Sequence, residues 1–253
     1  MTKFNSQFNN ETIQLFSGHN QNLTGSSQAP QNFVMNNSLP MFSELDYEVK
    51  TFNEGETIFK EGEAPKALYV LKSGCVKIFI HREASRGRTT TSEYVTKLVS
   101  PNEIFGYKAI VSESNTTSYA KVVKTATVWV YSAQKIAALL SQVNPLLKTI
   151  MKQSATDLQS YENLNQFHYL ASVQERIAYQ ITSLADRFGV KTSRGISLNL
   201  KLTRNEFAQL ASTINESLSR HLTEFKNEGL IDINGKEIII LNREALSAKS
   251  GNF

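Results

Sequence analysis

Between about Val49 and Tyr131 the apolar positions come in short runs rich in β-branched and aromatic residues: Glu56–Phe59, Ala67–Leu71, Cys75–Ile80, Tyr94–Val99, Lys121–Val123 and Ala126–Val130. The turn signals Asn53–Gly55, Lys60–Gly62 and Lys72–Gly74 punctuate them. Closely spaced strands with turn signals predict an antiparallel roll or sandwich. From Ser132 the period changes. Residues 133–140 read as a short helix, and Pro145 suits the first turn of a longer one. Along that helix Leu147, Met151, Ser154, Leu158, Tyr161, Asn165 and His168 recur at alternating steps of four and three. This is a coiled-coil seam. Such a stripe serves either its own domain or a second copy. Asn165 and His168 suit a paired interface better than a dry core, which favours a homodimer.

A further amphipathic helix covers residues 172–188, with Val173, Ile177, Ile181, Leu184 and Phe188 on one face and Gly189 as its glycine C-cap. Two Thr-x-x-Glu boxes follow, Thr203 with Glu206 and Thr213 with Glu216. In each, the hydroxyl accepts from a free backbone N–H and the carboxylate reaches back to the threonine N–H. Two helices therefore start close together, the first too short to run past the turn at 211–213. Phe207, Leu210, Leu218, Leu222 and Phe225 face a shared core, the pattern of a helix-turn-helix. Asn234-Gly235 between two apolar runs then predicts a hairpin, which makes the unit winged.

The outward face of the second helix carries Asn215, Glu216, Ser219, Arg220 and Thr223. Arginine pairs bidentately with guanine, glutamate accepts from cytosine N4, and Ser and Asn bond to several base edges. These residues lie near the helix N-terminus, the part that enters the major groove. Thr203 and Arg204 would lie against phosphate. The expected partner is double-stranded DNA.

Composition narrows the picture. Residues 1–40 hold eight Asn and five Gln with little periodicity, and are expected to be a disordered polar tail. The single cysteine, Cys75, rules out an intrachain disulfide and a cysteine-ligated iron–sulfur cluster within one chain. It is expected to pack as a small apolar strand residue. The four histidines are dispersed, so no metal site and no cofactor are expected. Nucleophile–base sets and phosphate-cradling glycine loops are missing, and an enzyme reading has no chemistry to rest on. The net charge of +4 permits an anionic partner without requiring one. The N-terminus lacks an apolar secretory core and no membrane span is expected, so the chain reads as cytoplasmic.

These features resemble the Crp–Fnr family of bacterial transcription regulators over roughly residues 42–246. The likeness rests on Gly55, Gly62 and Gly74, the turn Ile104–Gly106, Gln142–Pro145 before the long helix, Glu175–Ala178, Leu202–Glu206 leading to Glu216 and Arg220, and Phe225–Ile231 at the wing. It implies an α+β architecture. A cyclic-nucleotide-binding-like β-roll at 41–140 follows the tail, then a dimerisation helix at 141–170 and a winged helix-turn-helix at 171–253. It also implies a homodimer, RNA polymerase as a partner, and TTGA-like half-sites, because Glu216, Ser219 and Arg220 match the pattern of such readers. Thr213 belongs to the same DNA-facing set.

In cyclic-AMP-binding relatives the glycine turn is followed by a Glu for the ribose hydroxyl. An Arg-Ser or Arg-Thr pair then holds the phosphate. Phe105 and Gly106 keep the turn, but Tyr107 stands at the Glu position and Thr117-Ser118 at the pair. A buried phosphate without a cation is costly. Lys108, Lys121 and the basic loop at 82–88 are the substitutes on offer. The roll is therefore expected not to bind cyclic AMP in the usual way, and its effector, if it has one, is not identified. The competing reading is a cyclic-nucleotide-type sensor that acts on protein partners.

Overall fold

A computed structural model describes residues 42, 45–83, 91–141 and 145–251, with the side chains at 82–83, 91–92, 163–164 and 168 left out. The expected tail, most of the basic loop, the 142–144 stretch and the His168 side chain lie outside the described residues.

The roll is a six-stranded antiparallel sheet. Its strands are β1 (Glu48–Phe52), β2 (Thr57–Phe59), β3 (Ala67–Glu83), β4 (Thr91–Val99), β5 (Ile104–Phe105) and β6 (Tyr119–Ser132), running β1-β6-β3-β4 with β2 on β6 and β5 on β3. Period-two alternation divides β3 between two cores. Ala67, Tyr69 and Leu71 join Phe105, Val122 and Val128 inside the roll. Leu68 and Val70 face helices α1 (Tyr107–Val111), α2 (Ala133–Leu140) and α3 (Pro145–Leu170), where Tyr107, Ile136, Leu146 and Ile150 are buried.

The expected turn at Lys72–Gly74 does not break the sheet. Ala67–Leu71 and Cys75–Ile80 belong to one strand, and so do Lys121–Val123 and Ala126–Val130. At Lys72–Gly74 the ladder slips register instead. Gly74 has φ +90, and a Cβ there would lie 2.2 Å from the Thr125 carbonyl oxygen. The glycine thus serves a close cross-strand approach inside an irregular ladder.

The C-terminal part begins with α4 (Val173–Phe188), started by a Ser172–Glu175 capping box. Gly189 ends it, but at φ −65 and not in the left-handed form of a glycine C-cap. A Cβ at Gly189 would meet the Ala185 carbonyl oxygen at 2.2 Å, so crowding explains the residue. Helices α5 (Arg204–Leu210), α6 (Asn215–Asn227) and α7 (Arg243–Ala248) follow, together with strands β7 (Val190–Thr192), β8 (Gly195–Ser197), β9 (Ile231–Asn234) and β10 (Glu237–Ile240). The strands form a sheet in the order β7-β8-β10-β9. The expected wing hairpin is present, with Gly235 and Lys236 between the paired Asn234 and Glu237. The β7–β8 hairpin and α7 lack an amphipathic run long enough to announce them.

On α3 the buried positions are Leu146, Ile150, Gln153, Asp157 and Phe167. They form a stripe beside the expected seam. Leu147 is half-buried and Ser154 and Asn165 are exposed. Met151 is 64% exposed, Leu158 59% and Tyr161 42%. The seam is therefore not the face that packs on the protein's own core.

Candidate nucleic-acid interface

α5 starts where the sequence places it. Thr203 caps it: Glu206 N–H donates to Thr203 Oγ1 at 3.2 Å, and Thr203 N–H donates to Glu206 Oε2 at 2.7 Å. The second box does not form. α6 begins at Asn215 behind Ile214, with no side-chain cap, so Thr213 and Glu216 do not pair as expected. The turn is instead fixed from the α5 side. Ser212 adopts φ +48, and Thr213 N–H donates to the Ala208 carbonyl at 2.9 Å. Arg176 of α4 donates to the carbonyls of Ala211 and Ser212, both at 3.2 Å, and to Ala171 at the end of α3, at 2.8 Å. One guanidinium thus ties the long helix to the turn.

Leu218, Leu222 and Phe225 anchor α6 in the core. Asn215, Glu216, Ser219, Arg220 and Thr223 are on the other side, and all five are exposed. Arg220 lies 3.9 Å from Glu224 Oε1 and 3.4 Å from His221 Nε2, loose contacts that leave its guanidinium available. Thr203 is exposed and Arg204 half-buried at the start of α5. The structure therefore brings the expected base-facing residues to one face, with Thr213 half-buried in the turn behind them.

The C-terminus of α6 closes in a Schellman motif. Leu230 N–H donates to the Phe225 carbonyl at 2.9 Å, Gly229 N–H to Lys226 at 3.0 Å, and Gly229 has φ +71. The wing is tied to this helix through Asp232, which Lys226 approaches at 3.1 Å and Arg194 contacts from β8's side. Hydrogen bonds from Lys226 and Arg194 hold the Asp232 carboxyl down to about 2.

The roll's expected pocket is built differently. Tyr69 stacks on Phe105 at 5.0 Å between centroids, and Phe59 lies 5.9 Å from Tyr69. Gly106 has φ +77 and its missing Cβ makes room for the Tyr69 ring, 2.7 Å away. The crevice left beside Phe59, Tyr69, Gly106 and Thr116 has a volume of about 10 Å³. A ligand site usually needs roughly 300 Å³ or more. Thr117, expected to line it, is exposed and Ser118 half-buried. The side chain that faces inward is Thr116, whose hydroxyl donates to the Glu63 carbonyl at 3.1 Å and also contacts that of Lys60. The loop ahead of β6 decides this: Gly62 N–H donates to the Thr116 carbonyl at 2.8 Å and Thr116 N–H donates to the Glu63 carbonyl at 2.9 Å, pairings far apart in sequence that no local pattern marks.

Tyr107 does not face the crevice. Its hydroxyl donates to Asp157 Oδ2 on α3 at 2.8 Å. Asp157 also accepts from Lys97 at 3.0 Å and Gln153 at 2.8 Å, with Lys108 at 3.4 Å. Burial works against the Asp157 carboxylate, yet the Lys97 charge and these hydrogen bonds hold it below the usual range. Tyr107 is pushed upward by burial and by the Asp157 charge, so it stays a neutral donor. Burial likewise pushes the Cys75 thiol up to about 12, which leaves it inert. Sequence reading missed Asp157, which sits with Gln153 among the apolar positions Leu146, Ile150 and Phe167 of the buried stripe.

Comparison with known proteins agrees with this geometry. Residues 49–143 match the family described as a cyclic nucleotide-binding domain, and residues 175–249 match the Crp-like helix-turn-helix domain. Electron transport regulator A of Shewanella oneidensis is 27% identical over 221 residues, covering 87% of this chain and 86% of that protein. A CRP-like cAMP-activated global transcriptional regulator of Mycobacterium tuberculosis is 27% identical over 199 residues, covering 79% and 86%. In fold, a transcriptional regulator of the CRP family from Thermus thermophilus superposes with a TM-score of 0.65 at 22% identity, covering 80% of this chain and 96% of its own. With a roll, a long helix and a winged reading head in that order, the chain belongs to the Crp–Fnr family of transcription regulators.

Proposed function

We propose that the protein is a dimeric, sequence-specific DNA-binding regulator whose roll does not take cyclic AMP in the usual way. The observation that carries the reading is the α6 surface. Asn215, Glu216, Ser219 and Arg220 are exposed together, on the side opposite a buried Leu218, Leu222 and Phe225. Arg220 would pair with a guanine and Glu216 would accept from a cytosine N4, as a TTGA-like half-site presents them. Thr203 and Arg204 would meet phosphate and set the register, with Thr213 beside them.

Pairing rests on the uncovered stripe of α3. Met151, Leu158 and Tyr161 expose apolar surface on a long helix whose other stripe is already buried, and a second copy would cover it along Leu147, Ser154, Asn165 and His168 as well. Two heads would then sit about one helical turn apart, roughly 34–36 Å. RNA polymerase would be the downstream partner in the cytoplasm.

The filled crevice supports the effector reading. Tyr107 is engaged with Asp157, Thr117 is exposed, and the crevice beside Tyr69 has a volume of about 10 Å³. Selection of bound duplex from a random pool tests the whole. A palindrome of TTGA-like half-sites is the expected product, unchanged by added cyclic AMP. Recovery of random sequence would refute DNA reading. Micromolar cyclic AMP binding by calorimetry, weakened by Thr117→Ala, would refute the effector reading.

A further inference from the structure

The reading head is fastened to the roll by a specific polar clamp. α5 lies against β4, the edge strand of the sheet. Gln209 Nε2 donates to the Glu93 carbonyl at 2.7 Å, and its Oε1 accepts from Val95 N–H at 2.9 Å. Those two groups belong to alternate residues of an edge strand, so the amide supplies the bonds a further strand would make.

One turn earlier, Glu206 divides its two oxygens. Oε2 caps α5 through Thr203, and Oε1 accepts from Lys77 Nζ at 2.7 Å. The Lys77 side chain is 7% exposed and also pairs with Glu93. Burying an ammonium is tolerated only when it is paired and hydrogen-bonded. A head that swung away would break the Glu206 half of this pairing. Around the clamp, Phe79, Val95 and Leu98 of the roll share one apolar cluster with Phe207, Ala208 and Leu218 of the head. Arg187 of α4 adds a bond to Ser100 Oγ at 2.7 Å.

We propose that Gln209 and the Lys77–Glu206 pair are positioning residues that fix the angle of the head on the roll, and so fix the spacing at which a dimer accepts two half-sites. The assignment rests on the DNA reading above. The base-facing residues stay exposed while the clamp is closed, so docking does not cover the surface it orients. Neither Gln209 nor Lys77 belongs to the DNA-facing set.

The test uses the full-length protein with Gln209→Met and Lys77→Met. Both keep bulk in the interface and remove the hydrogen bonds. Affinities are measured for the selected palindrome, for versions with the spacer lengthened or shortened by one base pair, and for an isolated half-site. Wild type is expected to reject altered spacers. Each variant is expected to lose about tenfold of that discrimination, the scale of two net hydrogen bonds. Base preference within the half-site should be unchanged. An unaltered spacer profile would overturn the assignment. So would equal loss on every duplex with a lower Tm, which marks a merely structural role. Tighter binding to the original palindrome would overturn it too, because the clamp would then be inhibitory. Wild type that selects no sequence at all would overturn the DNA reading and this assignment with it, whereas selection without a spacer effect overturns this assignment alone.

Discussion

The crevice of the roll and the groove face of α6 are both surfaces the family uses to meet something outside the chain, and they are furnished in opposite ways. On α6 the polar side chains Asn215, Glu216, Ser219 and Arg220 project into solvent, with only long contacts around Arg220. In the roll, Phe59, Tyr69 and Phe105 fill the interior, and Tyr107 is spent on Asp157. A surface meant for a partner leaves donors and acceptors unfilled. A surface that satisfies itself becomes part of the core. The difference is between a face whose polar groups stay in solvent and a crevice lined by stacked rings.

The largest expected effect breaks the open surface from behind. Phe225→Ala removes a fully buried ring beneath the groove face and should cost about 3–5 kcal/mol of stability, read by urea denaturation. Next, Arg220→Ala should leave the fold intact and cost ~1–3 kcal/mol on the preferred duplex, relaxing preference at one base pair per half-site. Equal losses on specific and random DNA would remove Arg220 from the reading set. On the closed side, Tyr107→Phe takes one donor from a buried carboxylate that keeps Lys97 and Gln153. A loss of about 1 kcal/mol is expected, with no gain of cyclic AMP binding in calorimetry.

A pH series sharpens the contrast. Burial alone would raise the Glu206 carboxyl, but the Lys77 hydrogen bond and the Thr203 backbone hold it below its ordinary 4.5. Burial alone would lower Lys77, but its hydrogen bonds to Glu206 and Glu93 raise it above 10.5. The carboxylate's contribution is complete above 4.5 and is lost as pH falls through its lower folded value. The lysine's contribution is present throughout that range and is lost only above 10.5. The gap in urea midpoint between wild type and Lys77→Met should therefore be widest near neutrality and should close in acid. Arg220→Ala should show no such convergence. The smallest effect is Arg204→Ala. It should weaken all duplexes alike and flatten the salt slope by about one unit, read by binding titrations across salt concentrations.

Helix starts were the most legible features. Thr203 and Glu206 form their box because a capping box needs only residues three apart on one chain. The same motif at Thr213 and Glu216 failed because Ser212 and Arg176 stabilise the turn in another conformation. Two glycines were singled out, but for the wrong reason. Gly74 and Gly189 answer to a carbonyl that crowds them, which no local pattern reveals. The seam positions Met151, Leu158 and Tyr161 are exposed, and the stripe buried on the protein's own core lies beside them, through Ile150, Gln153 and Asp157.

The chain's own periodicities and caps set the order of the modules and named the residues that face outward on α6, because those depend on neighbours within a few positions. Folding alone placed Gln209 on the edge of β4, Lys77 under Glu206 and Tyr107 against Asp157, since each pair is far apart in sequence and is joined only when three modules pack. Local patterns specify what an element is and which side of it is apolar. Which buried charge meets which partner depends on how those elements are stacked.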